Sequence, residues 1–183
     1  LMNPKSRYLL LILLVALTGL LTAATRNSKK KKNDNLEHNE TTIKSVKASL
    51  VYADISFPAG ILKIASSSEN FFVGDFTYDK TIWKPKIAYE ESDEVGKLKV
   101  GPDMHHINLN NDSEYIWDMK LNGEVEMDVT IRFGAGRGDL DFQDMNITEL
   151  DITLGAGEYQ IDLRRTALAA FDFNAGAGSA VID

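Results

Sequence analysis

Cysteine is absent from the 183-residue chain, and histidine is rare. Without a thiol, the protein can form no disulfide, no thiolate metal site, no covalent intermediate on cysteine and no lipid anchor at cysteine. The three histidines are His38, His105 and His106, and the adjacent pair would point to opposite sides of a strand. The sequence therefore predicts no metal site and no cofactor, and a fold that is stabilised by packing alone.

Positive charge is scarce after residue 32. Seven of the 20 basic residues lie at positions 1–32, where there is no acidic residue. The rest of the chain holds 13 basic and 27 acidic residues, a formal charge of −14. Such a body repels phosphate backbones, so we expect no nucleic-acid partner.

Long apolar runs occur only at the N-terminus. Residues 8–24 carry no charge, Lys5 and Arg7 precede them, and the small residues of "TAAT" lie at 22–25. The run is just long enough to span a membrane and also fits the apolar region of a signal peptide. The sequence predicts that residues 1–25 are an N-terminal hydrophobic helix, either a signal peptide or a single membrane anchor.

Two charge patterns disagree about the side of the membrane on which the body lies. Arg26 and the four lysines from Lys29 to Lys32 favour the cytoplasmic face, because positive charge after the run exceeds that before it. The positive start and small-residue site of an export signal favour a membrane-anchored or secreted body outside the cytoplasm. We expect the extracytoplasmic location, and cleavage of the leader stays open. Residues 26–44 are too hydrophilic to pack and are predicted to be a disordered basic and polar linker.

From residue 45 onward the sequence alternates between apolar and polar residues. "VKASLVYADISF", "ILKIAS" and "KLKV" have this pattern, with Gly, Pro, Asn and Asp clusters between them, as strands do. No stretch after the leader has the apolar spacing of a helix. The sequence therefore predicts an all-β body that starts with an irregular N-terminal β portion over residues 45–120.

A Gly-Ala-Gly corner recurs every 21 residues in the C-terminal part. The six corner glycines are Gly134, Gly136, Gly155, Gly157, Gly176 and Gly178. Apolar positions around them keep the same spacing, which predicts stacked rungs whose equivalent residues form ladders. We predict a stacked-rung β-solenoid with repeats of about 21 residues over 121–183. A β-carbon on either glycine is expected to clash with the next corner, and "FPAGILKI" at 57–64 is interpreted as a degraded corner.

These segments together resemble a known family. "GILKI", "WDMKLNGEVEMDVTIRFGAGRGDLDF", "LDITLGAGEYQIDL" and "FDFNAGAGSAVID" are similar to the toast-rack domain family of bacterial envelope proteins, over about residues 46–183. The resemblance implies a stack of β-strand rungs and brings no catalytic residue with it. Relatives include membrane-anchored proteins in which similar domains regulate a stress-sensing kinase during the response to cell-wall-active antibiotics. Those relatives commonly have several membrane spans, whereas this sequence predicts at most one.

The sequence stops at Asp183, inside the third corner unit. A solenoid usually ends in a capping turn, so Val181 and Ile182 are expected beside an open apolar end. We expect either a truncated sequence or an end that docks onto another chain, and the true C-terminus stays open.

Four aspartates form a candidate metal ladder. Asp139, Asp141, Asp162 and Asp183 would offer oxygen ligands in register, which calcium prefers. Calcium β-rolls, however, repeat every nine residues and need a glycine where this chain has Arg137. Solvated carboxylates are therefore the favoured interpretation, and Asp141, Asp162 and Asp183 are kept as a candidate surface.

Aromatic residues of the N-terminal half allow two interpretations, a sugar-stacking surface or a core. The residues in question are Tyr78, Trp83, Tyr89, Tyr115 and Trp117. We assign Trp117 to the core and keep Trp83, which is flanked by Lys84 and Pro85, with the candidate surface. A glycosidase would need two carboxyl groups facing each other about 5–9 Å apart, which stacked aspartates on one face do not provide.

Two short motifs carry no activity. "GAGRG" has the glycines of a dinucleotide fingerprint, but no helix follows it. The Arg-Gly-Asp triplet at 137–139 has no counterpart in the equivalent "GAGEYQIDL", which suggests coincidence.

The sequence thus predicts a non-enzymatic, envelope-associated scaffold or regulatory interaction module, which the resemblance links to the envelope stress response. Its expected partners are the membrane, through the N-terminal segment, and a protein partner or a second copy at open strand edges. No small-molecule substrate is evident. The alternative is a secreted carbohydrate-binding or polysaccharide-acting β-helix protein.

Overall fold

A computed structural model describes residues 35–103 and 115–183, and these residues form ten β-strands. The strands are β1 Leu36–Ile43, β2 Leu50–Ser67, β3 Phe72–Asp79, β4 Lys84–Ser92, β5 Val95–Asp103, β6 Ile116–Asn122, β7 Glu126–Asp141, β8 Ile147–Asp162, β9 Ala170–Ala175 and β10 Gly178–Ile182. The described part has no helix, so the prediction of an all-β body is confirmed.

The predicted hydrophobic helix at 1–25 lies outside the described residues, as do His105 and His106. Within 35–103 and 115–183, no helix has the length and apolarity needed to cross a membrane.

The ten strands belong to one continuous sheet. Its main order is β1-β3-β6-β2-β7-β8-β10, with β5 on β2, β4 on β5 and β9 on β8. Three strands, β2, β7 and β8, are long and pass through a corner, so each has a first leg before the corner and a second leg after it. First legs are residues 50–57, 126–133 and 147–154, and they are extended by β5 on one side and β9 on the other.

Parallel pairing places equivalent positions of successive rungs side by side. Val129 pairs with Leu150, and Leu150 pairs with Phe171. After the corner, Leu140 pairs with Ile161, which pairs with Ile182. The 21-residue columns are therefore physical neighbours across the strands.

Strand β2 continues the same columns toward the N-terminus. Phe57 pairs with Phe133, Ala59 with Ala135 and Gly60 with Gly136, so the corner interpretation of residues 57–64 is confirmed. The regular columns therefore begin within the portion that sequence had assigned as irregular. The 21-residue period does not reach this corner, because Pro58 replaces the first glycine and strands β3 to β6 lie between β2 and β7.

The core lies between the inward faces of the two sets of legs. Alternating residues such as Ile55, Ile131 and Ile152 are buried, while the residues between them face outward. Near the corner of β2 the core is aromatic: the Phe57 ring lies 4.8 Å from that of Trp117 and 5.0 Å from that of Phe133, between centroids. Burying side chains of this size stabilises the fold by about 1.5–3 kcal/mol each.

The turns that follow the second legs of β7 and β8 share one feature, an aspartate that accepts a hydrogen bond from a backbone N–H two residues later. Asp141 Oδ1 accepts a hydrogen bond from the Gln143 N–H at 3.0 Å, and Asp162 Oδ1 accepts one from the Arg164 N–H at 3.0 Å. These side chains satisfy a backbone donor just where the strand ends, which is a common role of Asp in turns.

The prediction that residues 26–44 form a disordered linker is wrong for the residues of strand β1. Residues 36–43 of the predicted disordered linker pair antiparallel with β3 over the whole length of β1. The strand is polar, but an edge strand obtains its backbone hydrogen bonds from its neighbour without burying both faces. Side chains add to this, because the Tyr78 hydroxyl donates to Glu37 at 2.9 Å and His38 lies 3.2 Å from Asp75.

Candidate functional site

Six adjacent strands present one continuous outward surface, which we call the charged face. It is the outward side of β4, β5, the first legs of β2, β7 and β8, and β9, in that order. One row across it consists of Glu90, Lys97, Tyr52, Asp128, Glu149 and Ala170. The next row consists of Ala88, Lys99, Asp54, Thr130, Asp151 and Asp172. The pairing register of the six strands, rather than a sequence motif, places these side chains next to each other.

The two halves of the charged face have opposite charge. Lys97 and Lys99 are exposed on β5, whereas exposed Glu149 and Asp151 occupy the same two rows on β8. Between them, Arg132 on β7 binds Asp54 on β2 with an N–O distance of 2.7 Å. The surface is therefore positive on one side of β2 and negative on the other.

A shallow groove of about 300 Å³ crosses the negative half. It is lined by Tyr52, Asp54, Asp128, Thr130, Glu149, Asp151 and Asp172, among others. Tyr52 is the large apolar side chain at its border, with 47% of its surface exposed. This arrangement can bind cationic groups by charge and can stack against a flat group through the Tyr52 ring.

A second surface is the outer edge of β9 and β10, which we call the terminal edge. Among the described strands, none pairs with this edge. Three large apolar side chains are exposed there: Phe171 at 38%, Val181 at 55% and Ile182 at 41%. Phe171 and Ile182 belong to the inward columns that are buried in the other rungs, and no rung within residues 35–103 and 115–183 covers them.

The structure places the predicted aspartate ladder around a second groove, of about 300 Å³. The groove is lined by Asp139, Asp141, Gln160, Asp162, Arg164 and Asp183. Asp141 and Asp162 are paired in register, and each is engaged in its own turn. The Arg164 guanidinium also binds Asp162, with 3.0 Å between Nε and Oδ1.

Arg164 supplies a counter-charge to one member of this ladder, Asp162. Hydrogen bonds from the Arg164 side chain and backbone hold the pKa of Asp162 below its usual range. In the described ranges, no group of three or more His, Asp or Glu side chains is arranged to hold a metal ion. His38 contacts Asp75 and Thr77 on the exposed side of β1.

Trp83 is not a surface residue, and its assignment to the candidate surface is wrong. Only 3% of it is exposed, and its ring stacks on Tyr115 with 4.3 Å between centroids and 12° between planes. Tyr78, Tyr115 and Trp117 are buried as well, so these rings cannot form a sugar-stacking surface. Local sequence did not indicate this burial, because Trp83 is followed directly by the polar Lys84 and by Pro85, which lie on β4.

The corner glycines are sites of close backbone approach, as predicted. A β-carbon on Gly134 would meet the carbonyl oxygen of Pro58, and one on Gly155 would meet that of Gly134. Gly136 and Gly178 also have φ of 136° and 140°, which disfavours any other residue. These glycines determine the shape of the rungs and present no reactive group.

The Arg-Gly-Asp triplet has a structural explanation. Gly138 lies under the ring of Tyr159, its partner on β8, and a β-carbon would stand 2.9 Å from Tyr159 Cδ1. Arg137 and Asp139 are exposed on a strand rather than on a loop tip. The glycine therefore accommodates the tyrosine of the next rung.

The charged face was missed at the level of sequence, although a signal for it exists. In "VGKLKV" and "TELDIT" the charges alternate with buried residues, so the strand period alone puts each pair on one face. What the sequence did not show is that β5 pairs parallel with β2, which places the lysines in the same surface as the acidic residues.

Comparisons with known proteins agree with this fold. The family model described as the N-terminal domain of toast_rack, DUF2154, matches residues 27–183, so the chain belongs to the Toast_rack_N family. The family to which the sequence was compared is thereby confirmed. No curated protein shows a significant match to the chain.

Solved structures include one close match in fold. A protein from Clostridium sporogenes ATCC 15579, provisionally named a cell adhesion protein, matches with a TM-score of 0.69 and 18% identity. The match covers 80% of this chain and 98% of that one. At this identity the likeness shows the fold alone.

A provisional lipid-binding protein from Parabacteroides distasonis ATCC 8503 matches with a TM-score of 0.38 and 17% identity, over 82% of this chain and 58% of that one. A provisional adhesin from Parabacteroides merdae ATCC 43184 has a TM-score of 0.31 and 15% identity, over 82% of each chain. Scores this low carry no argument about this chain.

Proposed function

We propose that the chain is a non-enzymatic scaffold or interaction domain of the bacterial cell envelope, built as a β-solenoid of stacked rungs. The observation that carries the proposal is the terminal edge, where Phe171, Val181 and Ile182 lie beside strands whose outer side has no partner among the described residues. Such an edge accepts an added strand, which supplies main-chain hydrogen bonds and covers the apolar side chains. The proposed partner at this edge is a protein.

The distribution of polar groups supports a binding role over catalysis. In the described part, the outward grooves are shallow, and among their lining carboxylates Asp54 binds Arg132 and Asp162 binds Arg164 and a backbone N–H group. An active site needs a nucleophile or an acid–base pair with shifted pKa values inside a cleft. The carboxyl pKa of Asp162 is shifted downward by an arginine at an exposed turn, which is the signature of a structural ion pair.

The cellular part of the proposal rests on the leader and on family membership. Residues 1–25 would export the body or tether it to the membrane, with the body outside the cytoplasm. We further propose a link to the envelope stress response, which is supported by the resemblance to the toast-rack family. The provisional name of the Clostridium sporogenes protein is compatible with an adhesive role but supports no more than the fold at 18% identity.

Site-specific photocrosslinking in intact cells tests the proposal. A photoreactive residue at Val181 is expected to capture a discrete protein, whereas the same residue at exposed Ala156 on a corner is not. The Asp183 N–H donates to Ile161 of β8, and its carbonyl accepts from Leu163 just after β8. Residues of a parallel strand alternate sides, so the Ala180 N–H points away from β8. Ala180→Pro should therefore abolish capture without removing a bond to β8.

The outcome that contradicts the proposal is capture of lipid and bulk wall polymer alone, or equal capture from both positions. A glycan array with and without calcium addresses the carbohydrate alternative. Selective binding on the array would favour that alternative, and the proposal predicts none.

A further inference from the structure

We propose that the charged face is a docking surface for a second copy of this chain, related by a two-fold axis that runs parallel to the strands. This goes beyond the proposed function, because it concerns a different surface from the terminal edge and does not depend on the partner expected there. The observation behind it is that the two halves of the charged face complement each other row by row.

The rows make the complementarity specific. In a face-to-face pair with the axis along the strands, the strand order of the second copy is reversed. Strand β5 of one copy then faces β8 of the other, and β2 faces β7. Lys97 comes opposite Glu149, and Lys99 comes opposite Asp151, since each pair shares a row. Tyr52 comes opposite Asp128, so a phenol donor faces a carboxylate acceptor.

The other in-plane axis is excluded by charge. An axis perpendicular to the strands would leave the strand order unchanged, so that β5 faces β5 and β8 faces β8. Lysines would then face lysines and carboxylates would face carboxylates, and each close like-charge contact is unfavourable. Within the two rows, the parallel axis opposes no pair of like charges: Asp54 faces Thr130, Glu90 faces Ala170 and Asp172 faces Ala88.

The area is sufficient for a weak, specific dimer. Six strands about 4.8 Å apart, with about 20 Å of each leg, give a face of roughly 600 Å² per copy. The pair would bury about 1,200 Å² in total, which is at the lower end of specific interfaces. Because attraction between exposed charges is screened by salt, this dimer should dissociate as ionic strength rises.

Charge exchange between two variants tests the proposal. The lysine-reversed variant is Lys97→Glu with Lys99→Glu, and the acid-reversed variant is Glu149→Lys with Asp151→Lys. Full-length chains with two different affinity tags are mixed in mild detergent, and co-purification is measured at about 50 mM and about 500 mM salt. The wild-type chain is expected to associate, with affinity falling on the order of tenfold between the two salt concentrations.

Each reversed variant alone should lose self-association by at least about tenfold. In a pair of identical variant chains, the opposed positions 97 and 149, and 99 and 151, carry like charge. A mixture of the two should recover association, since positions 97 and 99 of each variant then face oppositely charged positions 149 and 151 of the other. A matched control, Arg137→Glu with Glu158→Lys, reverses exposed charges on second legs and should associate like the wild-type chain. Circular dichroism melting of every variant verifies that each one is folded.

Three outcomes overturn the proposal. Failure of the mixture to recover association, with both variants folded, excludes the row-by-row pairing. Association that persists in both reversed variants places the contact elsewhere, for example at the leader or the terminal edge. Loss in the acid-reversed variant only, together with competition by a polylysine peptide, would mean that the negative half binds cations in general.

Discussion

Gly155 lies directly over the carbonyl oxygen of Gly134, so closely that a β-carbon at residue 155 would overlap the oxygen. The obstacle is backbone, which cannot swing aside as a flexible side chain can. The same relationship recurs one rung earlier, between Gly134 and Pro58. The first corner glycine is thus required by the distance between rungs and not by its own φ angle.

Gly155→Val should therefore be far more destabilising than Ala156→Ser at the exposed neighbouring position. The valine forces two rungs apart, and we expect a loss of about 3 kcal/mol or more in the free energy of unfolding. The serine is an exposed surface change, for which about 0.5 kcal/mol or less is expected. Urea unfolding followed by circular dichroism measures both, and equal midpoints would contradict the role assigned to the corner.

Gly138→Ala should also destabilise, through Tyr159. The new methyl group would meet the Tyr159 ring in a packed core, and overpacking of this kind costs about 1–3 kcal/mol. In a Tyr159→Leu background, the same change should cost less, because the obstructing ring is gone. An equal cost in both backgrounds, measured by thermal melting, would show that Tyr159 is not the obstacle.

Tyr159→Phe provides the matched comparison at the same site. The Tyr159 hydroxyl is buried and has no hydrogen-bond partner in the described residues, so its removal takes away a desolvated polar group. We expect a melting temperature equal to or above that of the parent chain. A clear fall would mean that the hydroxyl has a partner, such as an ordered water.

The columns of the C-terminal half were predictable because parallel stacking makes spatial neighbours equidistant in sequence. Leu140, Ile161 and Ile182 had to share a column once the 21-residue period was recognised, and the structure pairs them. The corner glycines followed from the same period, since a close approach must recur at each rung.

The N-terminal half could not be resolved in the same way. Strand β1 is stabilised by pairing with β3, some 35 residues away, and nothing in its own polar sequence indicates that partner. Trp83 is buried because Tyr115, which is distant in sequence, stacks on it. The charged face likewise depends on which strands pair. The alternation within one sequence predicts the side of the sheet on which a residue lies, but not which residue lies beside it on the next strand.

Acidification should weaken the turn that follows β8. The carboxyl pKa of Asp162 is lowered in the folded state, chiefly by the Arg164 side chain. A lowered folded-state pKa contributes stability that is present above the unfolded value, about 3.9, and is lost as pH falls through the folded value. Arg164→Gln should therefore lower the melting temperature at pH 7, and this loss should shrink as the pH falls below about 3.9.

Lys97→Gln is the control for that comparison, because it also removes one positive charge but lies on β5. Its effect on the melting temperature should not show the same dependence on acid. A loss in the Arg164 variant that does not shrink as the pH falls below about 3.9 would mean that the arginine acts by packing and not through the carboxylate.

Alkaline conditions should unfold the aromatic end of the core. Burial, with the nearby charge of Asp79, raises the pKa of Tyr115 to about 12. Because this folded-state pKa lies above the unfolded value of about 10, the contribution of Tyr115 to stability is complete below pH 10 and is lost between about pH 10 and 12. Tyr115→Phe keeps the ring that stacks on Trp83 and should reduce this alkaline loss, with little change at pH 7.

Melting curves from pH 8 to 12, with tyrosinate absorbance recorded in parallel, check the prediction. An identical alkaline loss in the variant would assign it to Tyr78, Tyr89 and Tyr159, the other tyrosines whose pKa values are raised.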